Sequence, residues 1–156
     1  MPTETERKFL VRKDLWYALH KPAGEYYLQG YIVSGPDKTV RVRLTETKGF
    51  ITLKGPSVNI SRSEYEYEIP RQDALEMLEE FAGKKVEKMR YRVVHQDHAW
   101  EVDEFLGENE GLILAEIELS CDGEAFERPG WLGEEVSHDP RYYNAYLAEH
   151  PFGSWK

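Results

Sequence analysis

Apolar and polar residues alternate with a period of two through most of the chain, which is the spacing of half-buried strands. Eight segments carry the alternation: Glu4–Val11, Glu25–Val33, Thr39–Thr47, Phe50–Lys54, Ile60–Ile69, Val86–His95, Ala99–Phe105 and Leu112–Ser120. Most are separated by short turns, which predicts antiparallel neighbours. Eight strands is also about the number at which a sheet closes into a small barrel. Helical spacing is sparser. Lys13–His20 places Leu15, Trp16 and Leu19 on one side, and Gln72–Ala82 carries a stripe of Ala74, Leu75, Leu78, Phe81 and Ala82 with Gly83 as its stop. Asp139-Pro140 offers an N-cap and a proline at the first helical position, ahead of Arg141–Glu149 with Tyr142, Tyr143, Tyr146 and Leu147. The fold class predicted is mainly β (α+β): an eight-stranded antiparallel β-barrel with a few flanking helices. Glycines and prolines fall at turn spacing, with no linker, repeat or low-complexity stretch, so residues 1–156 read as a single domain.

Each strand has one charged face. That face holds Glu4, Glu6 and Lys8 in the first strand, Arg41 and Arg43 in the third, and Thr52 and Lys54 in the fourth. It holds Arg62, Glu64, Glu66 and Glu68 in the fifth, Lys88, Arg90 and Arg92 in the sixth, Glu101 and Asp103 in the seventh, and Glu116 and Glu118 in the eighth. One reading is a solvated outer face, the ordinary arrangement of an antiparallel sheet. Two features count against it. The face carries almost no Ser, Thr or Asn, and the signs are sorted: the third, fourth and sixth strands are basic, the first, seventh and eighth largely acidic. The other reading turns the charges inward, with helices covering the apolar outer face. Unpaired buried charges are very costly, so such a channel must be wet, internally paired or filled by a charged ligand. A polyphosphate with its metal suits both signs. Arg and Lys neutralise phosphate oxygens, while Glu and Asp hold Mg²⁺ or Mn²⁺. On the second strand Tyr27, Gln29 and Tyr31 share a face that the same parity can turn inward.

Composition narrows the classes. The chain has 156 residues, of which 40% are hydrophobic and 31% charged. Its mean hydropathy is −0.66, and its 13% aromatic residues are too many for a chain that buries nothing. With 29 acidic against 20 basic residues the net charge is −9, which repels a nucleic acid unless the basic residues gather in one place. No apolar run approaches the ~20 residues of a membrane span, and the acidic start Met-Pro-Thr-Glu-Thr-Glu is unlike a signal peptide. A cytoplasmic protein is expected, with no nucleic-acid or membrane partner, as a monomer or homodimer. The single cysteine, Cys121, excludes an internal disulfide and reads as a small filler. The five histidines show no metal-ligand spacing, and His138 reads as a surface or cap residue.

The order of the charged motifs carries a family resemblance. Glu4-Thr5-Glu6-Arg7-Lys8 reads as E-x-E-x-K on a first strand. After it come Arg41-Val42-Arg43, Thr52-Leu53-Lys54, Glu64-Tyr65-Glu66, Lys88-Met89-Arg90-Tyr91, Glu101-Val102-Asp103 and Glu116-Ile117-Glu118. This succession resembles the CYTH superfamily, the triphosphate tunnel metalloenzymes. The closing Gly133-Glu134-Glu135-Val136 and Asp139-Pro140-Arg141-Tyr142-Tyr143-Asn144 are similar to its short bacterial members. The resemblance implies a tunnel that takes in a triphosphate with Mg²⁺ or Mn²⁺. It implies metal ligation by Glu4, Glu6 and Glu118, with Glu116 and Asp103 serving a second metal or its waters. It implies phosphate contacts from Lys8, Arg41, Arg43, Lys54, Lys88 and Arg90, with Arg62 and Arg92 at the margin of that set. Glu64 and Glu66 are the supporting residues that orient these cations or water, and Glu4, Glu6, Lys8 and Lys88 form the catalytic group. For Lys88 a proton-handling role and a plain phosphate contact both stand open.

Inorganic tripolyphosphate is the expected substrate, split to pyrophosphate and phosphate, because a compact chain has little left with which to build a base pocket. The alternatives are thiamine triphosphatase, nucleoside triphosphatase or class IV adenylyl cyclase activity, or a non-catalytic triphosphate-binding module. The Tyr-rich C-terminal helix is expected to plug one tunnel mouth.

Overall fold

A computed structural model of the chain describes residues 2–155. The elements run β1 (Thr3–Val11), α1 (Lys13–Ala18), β2 (Glu25–Ser34), β3 (Thr39–Leu44), β4 (Gly49–Lys54), β5 (Ser61–Ile69) and α2 (Arg71–Glu80). They continue with β6 (Lys85–His95), β7 (His98–Phe105), β8 (Ile113–Glu118), β9 (Leu132–Glu135) and α3 (Asn144–Glu149). All pairings between named strands are antiparallel, in the order β5-β4-β3-β2-β6-β7-β8-β1. β1 closes the ring. Its Glu6–Leu10 stretch pairs with β8, and its first residues pair with β5, Glu4 facing Arg62. The end of β1 is left over for β9, with Phe9 opposite Glu135 and Val11 opposite Leu132. The eight expected strands therefore all form. β9 is an addition: four residues reading Leu-Gly-Glu-Glu hold too little alternation to announce a strand, and only the spare edge of β1 makes them one.

The inward reading of the charged faces holds. Phe9, Val102, Ala115 and Ile117 point outward from β1, β7 and β8 and pack with Trp16 of α1, with Trp100, and with Trp131 and Leu132 at the start of β9. Val42 and Leu44 of β3 pack against Ala74 and Leu78 of α2. These hydrophobic clusters lie outside the barrel wall, leaving the bore to the charges. Coverage is incomplete: Leu53, Tyr65 and Tyr67 on the outer face of β4 and β5 stay exposed, Tyr67 by 58%.

One end of the bore is apolar. Leu10, Val86, Phe105 and Leu114 share the inward parity of Lys8, Lys88, Asp103 and Glu116, one step further along each strand. They pack with Val136, and with Leu147 and Ala148 of α3. The C-terminal helix thus plugs this end, as expected, although it is shorter than the sequence suggested. Pro140–Tyr142 forms a separate 3-10 turn, which Asp139 caps by accepting from the Arg141 backbone N–H at 3.1 Å.

Four local expectations fail. Phe81 is 61% exposed because α2 ends at Glu80, one residue before it. Gly83 is not the left-handed stop of that helix; the described glycines with positive φ are Gly107 and Gly111. Leu15 is exposed, since the short α1 buries only Trp16. Cys121 is exposed as well and fills no space in the core.

Candidate active site

The bore is a cavity of about 700 Å³, within the range of small-molecule sites. At its closed end Lys88 is 1% exposed. Its Nζ donates to Asn144 Oδ1 at 2.8 Å and lies 2.9 Å from Asp103 Oδ2. Asp103 also accepts a forked pair from Arg90, Nε to Oδ1 and Nη2 to Oδ2, each at 2.8 Å. Burial works against the Asp103 charge, but Arg90 and then Lys88 outweigh it and hold its pKa far below the carboxylate range. Burial lowers the Lys88 ammonium to about 7 despite Asp103. The Tyr27 ring lies between the guanidinium groups of Arg43, at 4.8 Å, and Arg90, at 5.1 Å. Arg43 is lowered to about 9 by burial and by Arg41 and Arg90, so it sits in a field short of negative charge. Lys8 Nζ donates to the Tyr142 carbonyl at 3.0 Å and lies 5.3 Å from the centre of the Tyr143 ring.

Nearer the open end, Arg41 Nη2 donates to Thr52 Oγ1 at 3.1 Å and to Glu66 Oε2 at 3.3 Å. Among the described residues the buried Nε atoms of Arg41 and Arg62 have no hydrogen-bond partner. Both side chains line the bore, where guanidinium groups suit anion oxygens. Lys54 Nζ donates to Glu4 Oε1 at 2.7 Å and lies 3.5 Å from Glu64 Oε2. Arg92 is at the rim, its side chain 64% exposed and paired with Glu101.

The acidic wall is built by β1 and β8, where Glu6 stands opposite Glu118 and Lys8 opposite Glu116. Burial, then Glu116 and Glu4, push the Glu6 carboxyl well above its usual range. Burial opposes the Glu116 charge, but Lys8, a hydrogen bond from Glu6 and Arg90 keep it low. Glu118 is raised by burial, Glu4 and Glu101. Lys54 pairs with Glu4 and Arg90 lies 3.8 Å from Glu116, yet the carboxylates crowd one wall, and their all-oxygen donor set fits a hard divalent ion. Among the described residues no three acidic or imidazole groups converge as a preformed cage. Asp103, expected among the metal ligands, instead has both oxygens committed to Arg90 and Lys88.

The expected site residues line one bore, except Asp103, which is buried behind Arg90 and Lys88. Glu64 and Glu66 lie beside Lys54 and Arg41, where support for the cations was expected. Residues 137–146, expected only as part of a helix at the tunnel mouth, contribute Ser137, Tyr143, Asn144 and Tyr146 to the lining. Their only signal was the Asp139-to-Asn144 motif. Gln29, flagged by parity alone, is fully buried and accepts from Arg43 Nε at 3.2 Å.

Fold and site together define a closed antiparallel β-tunnel with a charged bore, stoppered at one end. The CYTH domain matches residues 2–143, and the chain belongs to that family. It is 50% identical to an inorganic triphosphatase of Acetivibrio thermocellus over 157 aligned residues, covering 100% of this chain and 99% of the relative. It is 39% identical to an inorganic triphosphatase of Nitrosomonas europaea, covering 94% and 97%. Its fold matches the crystal structure of an inorganic triphosphatase with a TM-score of 0.64, at 34% identity and 95% coverage of both chains. CYTH triphosphatases are metal-dependent. Among the described residues no helix is long and apolar enough to cross a membrane.

Proposed function

We propose that the whole chain acts as one tunnel domain that hydrolyses inorganic tripolyphosphate to pyrophosphate and orthophosphate, with Mg²⁺ or Mn²⁺. The observation that carries this reading is the facing of two walls in one blind bore: cations from β3, β4 and β6 opposite carboxylates from β1 and β8. The full-length likeness to two inorganic triphosphatases supports the choice of substrate. An exposed, unpaired Cys121 suits a reducing cytoplasm.

Arg41, Arg43, Arg90, Lys8 and Lys88 hold the phosphate oxygens and stabilise the charge that develops as the terminal phosphoryl group is transferred. Arg62 and Lys54 serve the same purpose nearer the mouth. Glu4, Glu6, Glu116 and Glu118 hold the divalent cation; when bound, it neutralises phosphate charge and acidifies water. Asp103 orients Arg90 and Lys88, and Glu66 orients Arg41. Water oxygen attacks the terminal phosphorus, the bridging P–O bond breaks, and pyrophosphate leaves. One water proton stays on the orthophosphate formed and the other passes to solvent.

The test is phosphate release from tripolyphosphate, ATP and thiamine triphosphate, each with Mg²⁺, Mn²⁺ or EDTA. Release from tripolyphosphate that needs metal and vanishes in Glu4→Ala is expected. A folded protein that releases phosphate from none of the three overturns the assignment.

A further inference from the structure

Lys88 and Arg43 are buried cations at the blind end of the bore. A chain of two neutral amides joins them. Arg43 Nε donates to Gln29 Oε1 at 3.2 Å, Gln29 Nε2 donates to Asn144 Oδ1 at 3.1 Å, and Lys88 Nζ donates to the same Asn144 oxygen at 2.8 Å. Arg and Lys side chains can only donate. Both ends of the chain therefore fix the amide orientations: Gln29 must turn its oxygen to Arg43, and Asn144 must turn its oxygen to Lys88. The ammonium has three N–H donors; Asn144 and Asp103 take two, which leaves one for a ligand.

An aspartate has nearly the same shape as Asn144 and would make the same contacts more strongly in the empty protein. It would also cancel the charge that an anion needs. A neutral amide orients the ammonium and leaves its charge intact. Resting on the triphosphate reading of this bore, we propose that Asn144 is a positioning residue for substrate binding. It holds Lys88 in place by a neutral acceptor, so that the blind end keeps its positive potential for the innermost phosphate.

The test uses the full chain and three forms: wild type, Asn144→Ala and Asn144→Asp. Calorimetry measures tripolyphosphate binding in EDTA, and thermal melting is followed in the same buffer without ligand. Asn144→Asp is expected to melt at or above the wild-type temperature and to bind about tenfold or more weakly, because a unit charge close to the ligand is added. Asn144→Ala is expected to bind with intermediate affinity. With metal restored, Asn144→Asp is expected to raise KM by about tenfold or more. A purely structural role predicts the opposite order, with Asn144→Asp restoring what Asn144→Ala loses; that order overturns the proposal, as does wild-type protein that binds no tripolyphosphate. A wild type that binds but does not hydrolyse would sink the triphosphatase assignment alone, and the order of affinities would still decide the role of Asn144.

Discussion

Lys54 Nζ and Glu4 Oε1 meet at 2.7 Å, linking β4 to β1 across β5, the strand through which the barrel closes. Burial opposes the Lys54 charge, yet Glu4 raises its pKa above the ordinary lysine value. A phosphate-binding cation and a metal-binding carboxylate therefore neutralise each other in the metal-free protein. Glu4→Gln removes the carboxylate charge and frees Lys54, so its two effects have opposite signs. Metal-dependent hydrolysis is expected to fall about 100-fold or more. Tripolyphosphate binding in EDTA is expected to tighten by about threefold to tenfold, since one negative charge has left the bore. Phosphate release and calorimetry on the same protein measure both. Weaker metal-free binding would show that Glu4 does not compete for Lys54.

Asp103 is held by three charged hydrogen bonds from two buried cations. Asp103→Asn leaves Arg90 and Lys88 short of a counter-charge in a site that water hardly reaches, and breaking a buried pair in this way costs about 3–5 kcal/mol. At ~2–4 °C per kcal/mol for a domain of this size, the melting temperature should fall by roughly 6–20 °C. An anion that replaces the lost charge reverses the loss through mass action. Tripolyphosphate in EDTA should therefore raise the melting temperature of Asp103→Asn more than that of wild type. Equal shifts in the two proteins would mean that the cations are not waiting for an anion.

Much of this arrangement could be read from the alternation alone. Because the side-chain period of a strand is two, placing Glu6 inside also places Glu4 and Lys8 inside, and each strand sorted its own residues independently. What the pattern could not give was the axial order. The apolar stopper is made of Leu10, Val86, Phe105 and Leu114, each an ordinary strand-end residue in sequence. Only the register that sets Leu10 against Leu114 and Lys88 against Phe105 stacks them at one end. The contact of Asn144 with Lys88 was not legible for another reason, although the motif that ends on Asn144 was. Its role depends on α3 being pulled into the bore by Leu147 and Ala148, a tertiary contact with no local signature. Phe81 failed in the other direction: an apolar residue at helical spacing stays exposed when its helix stops one residue short.

Arg7, the outward residue between Glu6 and Lys8, ties β9 to β1. Its Nε lies 2.8 Å from Glu135 Oε2 and its Nη2 2.6 Å from Oε1, while Ser137 Oγ donates to Oε2 at 2.6 Å. The Arg7 hydrogen bond, against some burial and with help from Ser137, pulls Glu135 down to about 2 from 4.5. The folded pKa is thus below the unfolded one, and between these values the unfolded chain binds more protons. The stabilisation is present in full above pH ~4.5 and is lost as the pH falls towards ~2. The pair is partly open to solvent, so screening limits it to about 1 kcal/mol. In urea unfolding, Glu135→Gln should be less stable than wild type by about that amount at pH 7, and the difference should shrink steadily on acidification below pH 4.5. A difference that does not change with pH would place the contribution in packing instead.

Gly49 opens β4 directly beneath α2. A Cβ built there would lie 2.6 Å from the Ala74 Cβ and 3.3 Å from the Ile69 carbonyl oxygen, closer than the helix and the strand can both accept. Ala74 itself is fully buried against Val42 and Leu44. Gly49→Ala should therefore lift α2 from the sheet and cost about 1–3 kcal/mol. Ala74→Gly alone should cost about 1 kcal/mol through helix propensity. Together they relieve the contact, so the double variant should be more stable than the sum of the two losses by about 1 kcal/mol or more. The clash lies outside the barrel wall, so the KM for tripolyphosphate should stay within about twofold of wild type in all three. Chemical denaturation of the four proteins closes the cycle. Strict additivity would place the strain of Gly49→Ala on the backbone at Ile69 and Arg71 rather than on Ala74.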